Sequence, residues 1–156
     1  MTALSVNVNK FALIRNARGA DLPNLYDISK KCIEFGADGI TVHPRPDERH
    51  AKFSDLEILK NLTKEFENIE FNIEGYPSND FIQKVITVMP DQVTLVPDPP
   101  DALTSSFGWD CKNGWAIAYR YYSEDYVSEE KYANDKKLGI WKSEFIEPYA
   151  YRKKQK

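Results

Sequence analysis

Cysteine is scarce. Cys32 and Cys111 are the only two in 156 residues, too few for a disulfide framework and without metal-ligand spacing. Both are expected to be buried or incidental thiols, and no metal site is expected. Histidine is equally sparse, with His43 and His50 the whole supply. No apolar run approaches the roughly 18 residues of a membrane span. The opening MTALSVNVNK also lacks the apolar core of a secretory leader, so a cytoplasmic protein is expected, with no membrane partner. An excess of charge of one sign is missing too. Lys and Arg number 21 against 24 Asp and Glu, a net charge of −3, which leaves no electrostatic footprint for nucleic acid across the whole molecule. At 42% hydrophobic and 13% aromatic the chain can build a core, which excludes wholesale disorder. Its length suits one ordinary domain or two very small ones.

Composition changes near residue 111, dividing the chain into 1–111 and 112–156. The first part alternates short β-rich runs with helical patterns. The second is rich in aromatics and charge, holding every tyrosine except Tyr26 and Tyr76, and reads as helical and irregular.

The first part scans as β/α units. Residues 4–9 are expected as a strand, and residues 24–35 as a helix with Pro23 before it and Gly36 at its stop. Strand 40–43 follows. Ser54-x-x-Glu57 reads as a capping box opening a helix that carries Leu56, Leu59 and Leu62. A strand at 69–73, a helix at 79–88 and a strand at 93–96 complete the series. Strict alternation implies parallel strands joined by crossovers.

Parallel strands covered on both faces should be apolar throughout. Here only one parity is. Val6 and Val8 alternate with Ser5, Asn7 and Asn9; Ile40 and Val42 with Thr41 and His43; Ile69, Phe71 and Ile73 with Glu70, Asn72 and Glu74. Gln92 and Thr94 continue the polar parity. Either the sheet is half exposed, or the polar parity converges on an inner surface that is wet or binds something polar. Periodicity alone leaves both open.

Four blocks, LSVNVNKFALIRNARG (4–19), GADGITVHPRPDERH (36–50), FNIEGYP (71–77) and QVTLVPDPPDALTSSFGWD (92–110), resemble the pyridoxine 5′-phosphate synthase family in order and spacing. The resemblance implies a (β/α)8 barrel of the TIM type. It implies condensation of 1-deoxy-D-xylulose 5-phosphate with 3-amino-2-oxopropyl phosphate to form pyridoxine 5′-phosphate in vitamin B6 synthesis. No cofactor is implied. Motif by motif, Asn7 and Arg18 would contact the amino-ketone phosphate. Asn9 and Lys10 stand where many members carry an Asp-His pair on the sugar phosphate. His43 would be a general base and Glu70 a second proton acceptor. Arg45, His50 and Thr104 would hold the sugar phosphate. The chemistry fits: ring formation needs repeated proton transfers, and phosphates need cations or backbone donors.

A full barrel of this type has eight strands and roughly 250 residues. This resemblance is expected to stop near Asp110, after four units. The family's later half supplies a proton-donating His and a Gly-rich phosphate site. Both histidines here are already assigned, so little or no turnover is expected of the chain alone. The expected architecture is α/β, the N-terminal half of such a barrel plus a small helical tail packed through Trp115, Trp141 and Phe145. Its open strand edges would pair in a homodimer or higher oligomer.

The stretch NGWAIAYRYYSEDYVSEEKYANDKKLGIWKSEFIEPYAYR (113–152) resembles the C-terminal end of a staphylococcal-nuclease-like (thermonuclease) domain. In this reading Gly139 ends a helix as its C′ residue. Glu124, Asp125, Glu129 and Glu130 form a solvated face rather than a metal site. A truncated synthase-like protein, a nucleic-acid-related module and a chimera of two gene fragments without function are the three readings.

Overall fold

Parallel pairing between short strands frames the first part of the chain, in a computed structural model that describes residues 2–98, 108–118, 120 and 124–146. The strands β1 (Ser5–Asn7), β2 (Gly39–Val42), β3 (Glu70–Gly75) and β4 (Gln92–Leu95) form one sheet in the order β1-β2-β3-β4. Every pair is parallel: Val6 lies opposite Ile40, Ile40 opposite Phe71, and Ile73 opposite Val93. Between them run α1 (Asn9–Arg18), α2 (Leu25–Glu34), α3 (Phe53–Lys64) and α4 (Asn79–Val88). This all-parallel α/β sheet is consistent with part of a (β/α)8 barrel.

The apolar parity builds the core. Val8, Ile40, Val42, Phe71 and Ile73 are fully buried and share one cluster with Leu25 and Ile33 of α2, Leu56, Leu59 and Leu62 of α3, and Phe81 of α4. Each such side chain contributes about 1.5–3 kcal/mol on burial. The fourth strand departs from the expectation, because Val93 and Leu95 stay exposed.

Helix ends follow local chemistry. Asn24 caps α2 by accepting from the Asp27 N–H at 3.0 Å. That helix closes at Gly36, which takes φ 98° while the Ala37 N–H reaches back to the Cys32 carbonyl at 3.0 Å, a Schellman stop as expected. Ser78 caps α4 through the Phe81 N–H, and α4 has the predicted bounds. The capping box expected at Ser54 and Glu57 does not form. Asp55 instead accepts from the Lys52 N–H at 2.7 Å, because the N-cap of α3 is Lys52, two residues earlier than expected, and Ser54 lies inside the first turn. Residues 9–18 form α1, where the sequence pattern predicts only the end of the strand at Asn9 and no helix. Only Ala12 and Arg15 of α1 are buried, whereas Phe11, Leu13 and Ile14 are exposed, so its apolar residues do not mark one buried stripe.

The chain divides into two compact units, Met1–Ser105 and Ser106–Lys156. In the second, α5 spans Val127–Asp135 and a 3-10 turn spans Gly139–Lys142. Lys137, at φ 53°, is the C′ residue of α5, and the Leu138 N–H bonds the Ala133 carbonyl at 2.9 Å. Gly139 therefore does not end the helix; it lies where an added Cβ would come within 2.2 Å of the Gly114 carbonyl oxygen. Glu130 is not on a solvated face. It is buried and accepts from the Ala118 N–H at 2.7 Å and from Arg120 at 2.9 Å. Trp141 packs on Phe145 with ring centroids 5.2 Å apart, but Trp115, expected to pack with them, is exposed.

Candidate functional site

The polar parity forms two layers across the sheet. In the lower one, Ser5 Oγ and Thr41 Oγ1 lie 2.7 Å apart, Asn72 Nδ2 donates to Thr41 Oγ1 at 3.2 Å, and Thr94 Oγ1 donates to Asn72 Oδ1 at 3.1 Å. Asn72 and Thr41 are buried, so this ladder settles which way the polar parity faces in β2 and β3: inward, with its polar atoms paired.

The upper layer lies at the C-terminal strand ends. Asn7 Nδ2 donates to Glu74 Oε2 at 3.2 Å. Asn7 Oδ1 accepts from the Asn9 N–H at 3.0 Å, and Asn9 Oδ1 accepts from the His43 N–H at 2.9 Å. A continuous chain of contacts thus joins the ends of β1, β2 and β3. Asn9 acts in it as a tether on the His43 backbone.

His43 follows β2 and is partly buried. With Pro44, Arg45, Pro46, Phe53, Tyr76 and Ser78 it lines a cavity of about 420 Å³. Burial first, and then the nearby charges of Arg45 and His50, push its pKa down to about 4. The imidazole is therefore neutral at pH 7, the form able to accept a proton. His50 is also held below its ordinary value, by burial and by Arg49, Arg45 and Lys10. Its Nδ1 is buried without a hydrogen-bond partner among the described residues. Burial raises the pKa of Glu74. A low-pKa base, a carboxylate of raised proton affinity and clustered cations at one sheet end suit proton transfer on an anionic ligand.

The structure brings together Asn7, Asn9, Lys10, His43, Arg45 and His50 on this rim. It does not bring Glu70. That residue opens β3 opposite Gly39, its N–H bonded to the Asp38 carbonyl, and it is exposed at the N-terminal end of the sheet. Four residues of strand carry the chain about 13 Å from there to Glu74. Glu74, missed in the sequence, occupies the position expected of Glu70. The turn residues Gly75-Tyr76-Pro77 just after Glu74 are the signal that places it at the strand's end. Arg18 closes α1 and is exposed, about 14 Å along the helix from Asn9. Thr104 lies outside the described residues. Among the described residues, no three His, Cys, Asp or Glu side chains gather as a metal-ligand set, and no helix is long and apolar enough to cross a membrane.

A family model described as "Pyridoxal phosphate biosynthesis protein PdxJ" matches residues 4–150. Curated proteins named pyridoxine 5′-phosphate synthase are similar. That of Parabacteroides distasonis is 54% identical over 129 residues, 83% of this chain and 49% of the relative. That of Bacteroides fragilis is 58% identical over 112 residues, 72% of this chain and 46% of the relative. That of Christiangramia forsetii is 49% identical over 148 residues, 95% of this chain and 56% of the relative. The chain spans about half the length of the curated relatives it matches. The family match also runs past Asp110, where the resemblance was expected to stop, and takes in the segment from residue 113.

Proposed function

The chain belongs to the pyridoxal phosphate biosynthesis protein PdxJ family, and from that premise we propose that it is the substrate-gripping N-terminal part of a pyridoxine 5′-phosphate synthase of vitamin B6 biosynthesis. The substrates are 1-deoxy-D-xylulose 5-phosphate and 3-amino-2-oxopropyl phosphate. Arg45 and His50 grip the sugar phosphate, with Lys10 nearby. Asn7 orients the amino-ketone. Neutral His43 removes a proton from the bound sugar phosphate, and Glu74 is the second acceptor. The later strands of the barrel, with their proton donor, are needed for turnover, so the chain alone binds but does not complete the ring. Paired copies cover the β4 edge.

One observation carries this reading: His43 and Glu74 stand at the same, C-terminal, end of adjacent parallel strands, where barrel active sites collect. Calorimetric titration of the chain with 1-deoxy-D-xylulose 5-phosphate and with its dephosphorylated counterpart tests it. Saturable binding of the phosphate form alone, lost in Arg45→Ala, is expected. Equal binding of both forms, or none, contradicts it.

A second reading concerns residues 112–156. The sequence of 113–152 supports a nuclease-like C-terminal fragment fused to the synthase-like part, while the family match through residue 150 counts against it. Single-molecule reads of DNA and transcript across codons 100–120 test the fusion. A continuous read supports it, and two parts on separate molecules remove it. Salt-sensitive binding of single-stranded DNA would assign that unit a nucleic-acid role; no binding at low salt would exclude one.

A further inference from the structure

The loop from His43 to Lys52 carries Arg45, Arg49 and His50, and its backbone turns so that three successive carbonyls converge. Those of Glu48, Arg49 and His50 lie 3.0, 3.2 and 2.7 Å from a single atom, Asn16 Nδ2. Glu48 takes the left-handed φ of 52°, which a glutamate adopts only when its surroundings hold it there. Three carbonyl dipoles aimed at one point repel each other unless a donor sits between them.

The other end of the same amide explains why the donor faces this way. Asn16 Oδ1 accepts from Arg15 Nε at 3.2 Å and Arg15 Nη2 at 3.1 Å. A guanidinium only donates and a carbonyl only accepts, so just one orientation of the amide satisfies both sides. Arg15 is held in turn by a two-pronged pair to Asp55, at 2.7 and 2.9 Å, both side chains being buried. Asp55 also accepts from the Lys52 N–H at the loop's far end. A single polar chain from α1 to α3 therefore holds the loop at residues 48–50 and again at 52.

We propose that Asn16 is a positioning residue: its side-chain amide, locked by the Arg15–Asp55 pair, fixes the backbone that presents Arg49 and His50 to an anionic ligand. The proposal rests on the reading of this loop as the phosphate grip. Asn16 commits its amide to the loop backbone and to Arg15, and acts on the ligand only through the loop. Its function is to make the grip ready before the ligand arrives, sparing the ordering cost that a loose loop would incur on binding.

The test is the titration of the His50 ring by NMR in the ligand-free chain, followed by titration with inorganic phosphate and with 1-deoxy-D-xylulose 5-phosphate. Asn16→Leu keeps the size and removes donor and acceptor together; Asn16→Ala is the second variant. Both are expected to free the loop, so that the His50 midpoint climbs toward its ordinary 6.5 and the dissociation constant for the sugar phosphate rises about tenfold. Asp91→Asn is the control. It loosens the Lys60–Asp91 pair outside this loop, lowers the melting temperature, and leaves the His50 midpoint unchanged. An unmoved His50 midpoint in both Asn16 variants overturns the proposal, as does the same movement in the control. If the unsubstituted chain binds no phosphate while His50 still shifts in the variants, the phosphate grip fails and the positioning role stands.

Discussion

Asn7 and Glu74 meet through a 3.2 Å hydrogen bond although their strands are not neighbours, since β2 lies between β1 and β3. The contact closes over the C-terminal rim and keeps a half-buried carboxyl facing the candidate site. Burial raises its pKa, so the folded state favours the protonated form. The stability it contributes is present below the ordinary 4.5 and is lost as pH rises through the folded value. Glu74→Gln removes that loss while retaining an oxygen for Asn7. Thermal melts at pH 7 should find Glu74→Gln at least as stable as the parent. In a ligand-bound proton-exchange assay, Glu74→Gln impairs exchange and Glu70→Gln does not.

His43 and His50 tilt stability the opposite way. Both pKa values are lowered in the fold, so the unfolded chain binds protons that the folded chain refuses. Their contribution is full above 6.5 and is lost as pH falls toward the folded value of about 4 for His43. Urea midpoints should rise from pH 4 to 6.5 and then level off. The rise should shrink in His43→Gln.

The Arg15–Asp55 pair is buried on both sides. Removing one partner strands the other's charge, so Asp55→Ala should cost about 3–5 kcal/mol. A paired Arg15→Met, Asp55→Leu replacement should recover much of that loss in urea melts, while still releasing the loop that Asn16 holds.

Gly75 ends β3 against an aromatic ring. An added Cβ would lie 2.1 Å from Phe81 Cε2, so the ring must swing out of a position where Phe81 is buried. Gly75→Ala should destabilise the unit by about 1–3 kcal/mol. Gly75→Ala combined with Phe81→Leu should be less damaged than either cost added alone.

Much of this was legible in the residues. The alternation of Phe71 and Ile73 with Asn72 and Glu74 foretold a core face and an opposite polar face, because a strand turns successive side chains to opposite sides; whether the polar face was exposed or turned inward, periodicity left open. Gly36 marked the end of α2 for the one reason that a left-handed turn needs a glycine there. His43, Arg45 and His50 fall in one short loop, so their convergence required no tertiary knowledge. Other features could not be read this way. Helix α1 buries Arg15 and exposes Ile14, reversing the usual sign of the hydrophobic pattern, since Asp55 compensates the buried guanidinium. Glu70 and Glu74 share a face and a residue type. Only the direction and extent of the strand separate them, and periodicity carries neither.

The rim formed by His43, Arg45, His50 and Glu74 is proposed to receive a sugar phosphate. The most direct measurement is the NMR titration of the His43 ring with and without saturating 1-deoxy-D-xylulose 5-phosphate. A bound dianion offsets the cations that hold the imidazole down, so its midpoint should climb from about 4 toward neutrality, where a base works best. A midpoint that stays put while the sugar phosphate is bound would contradict the account.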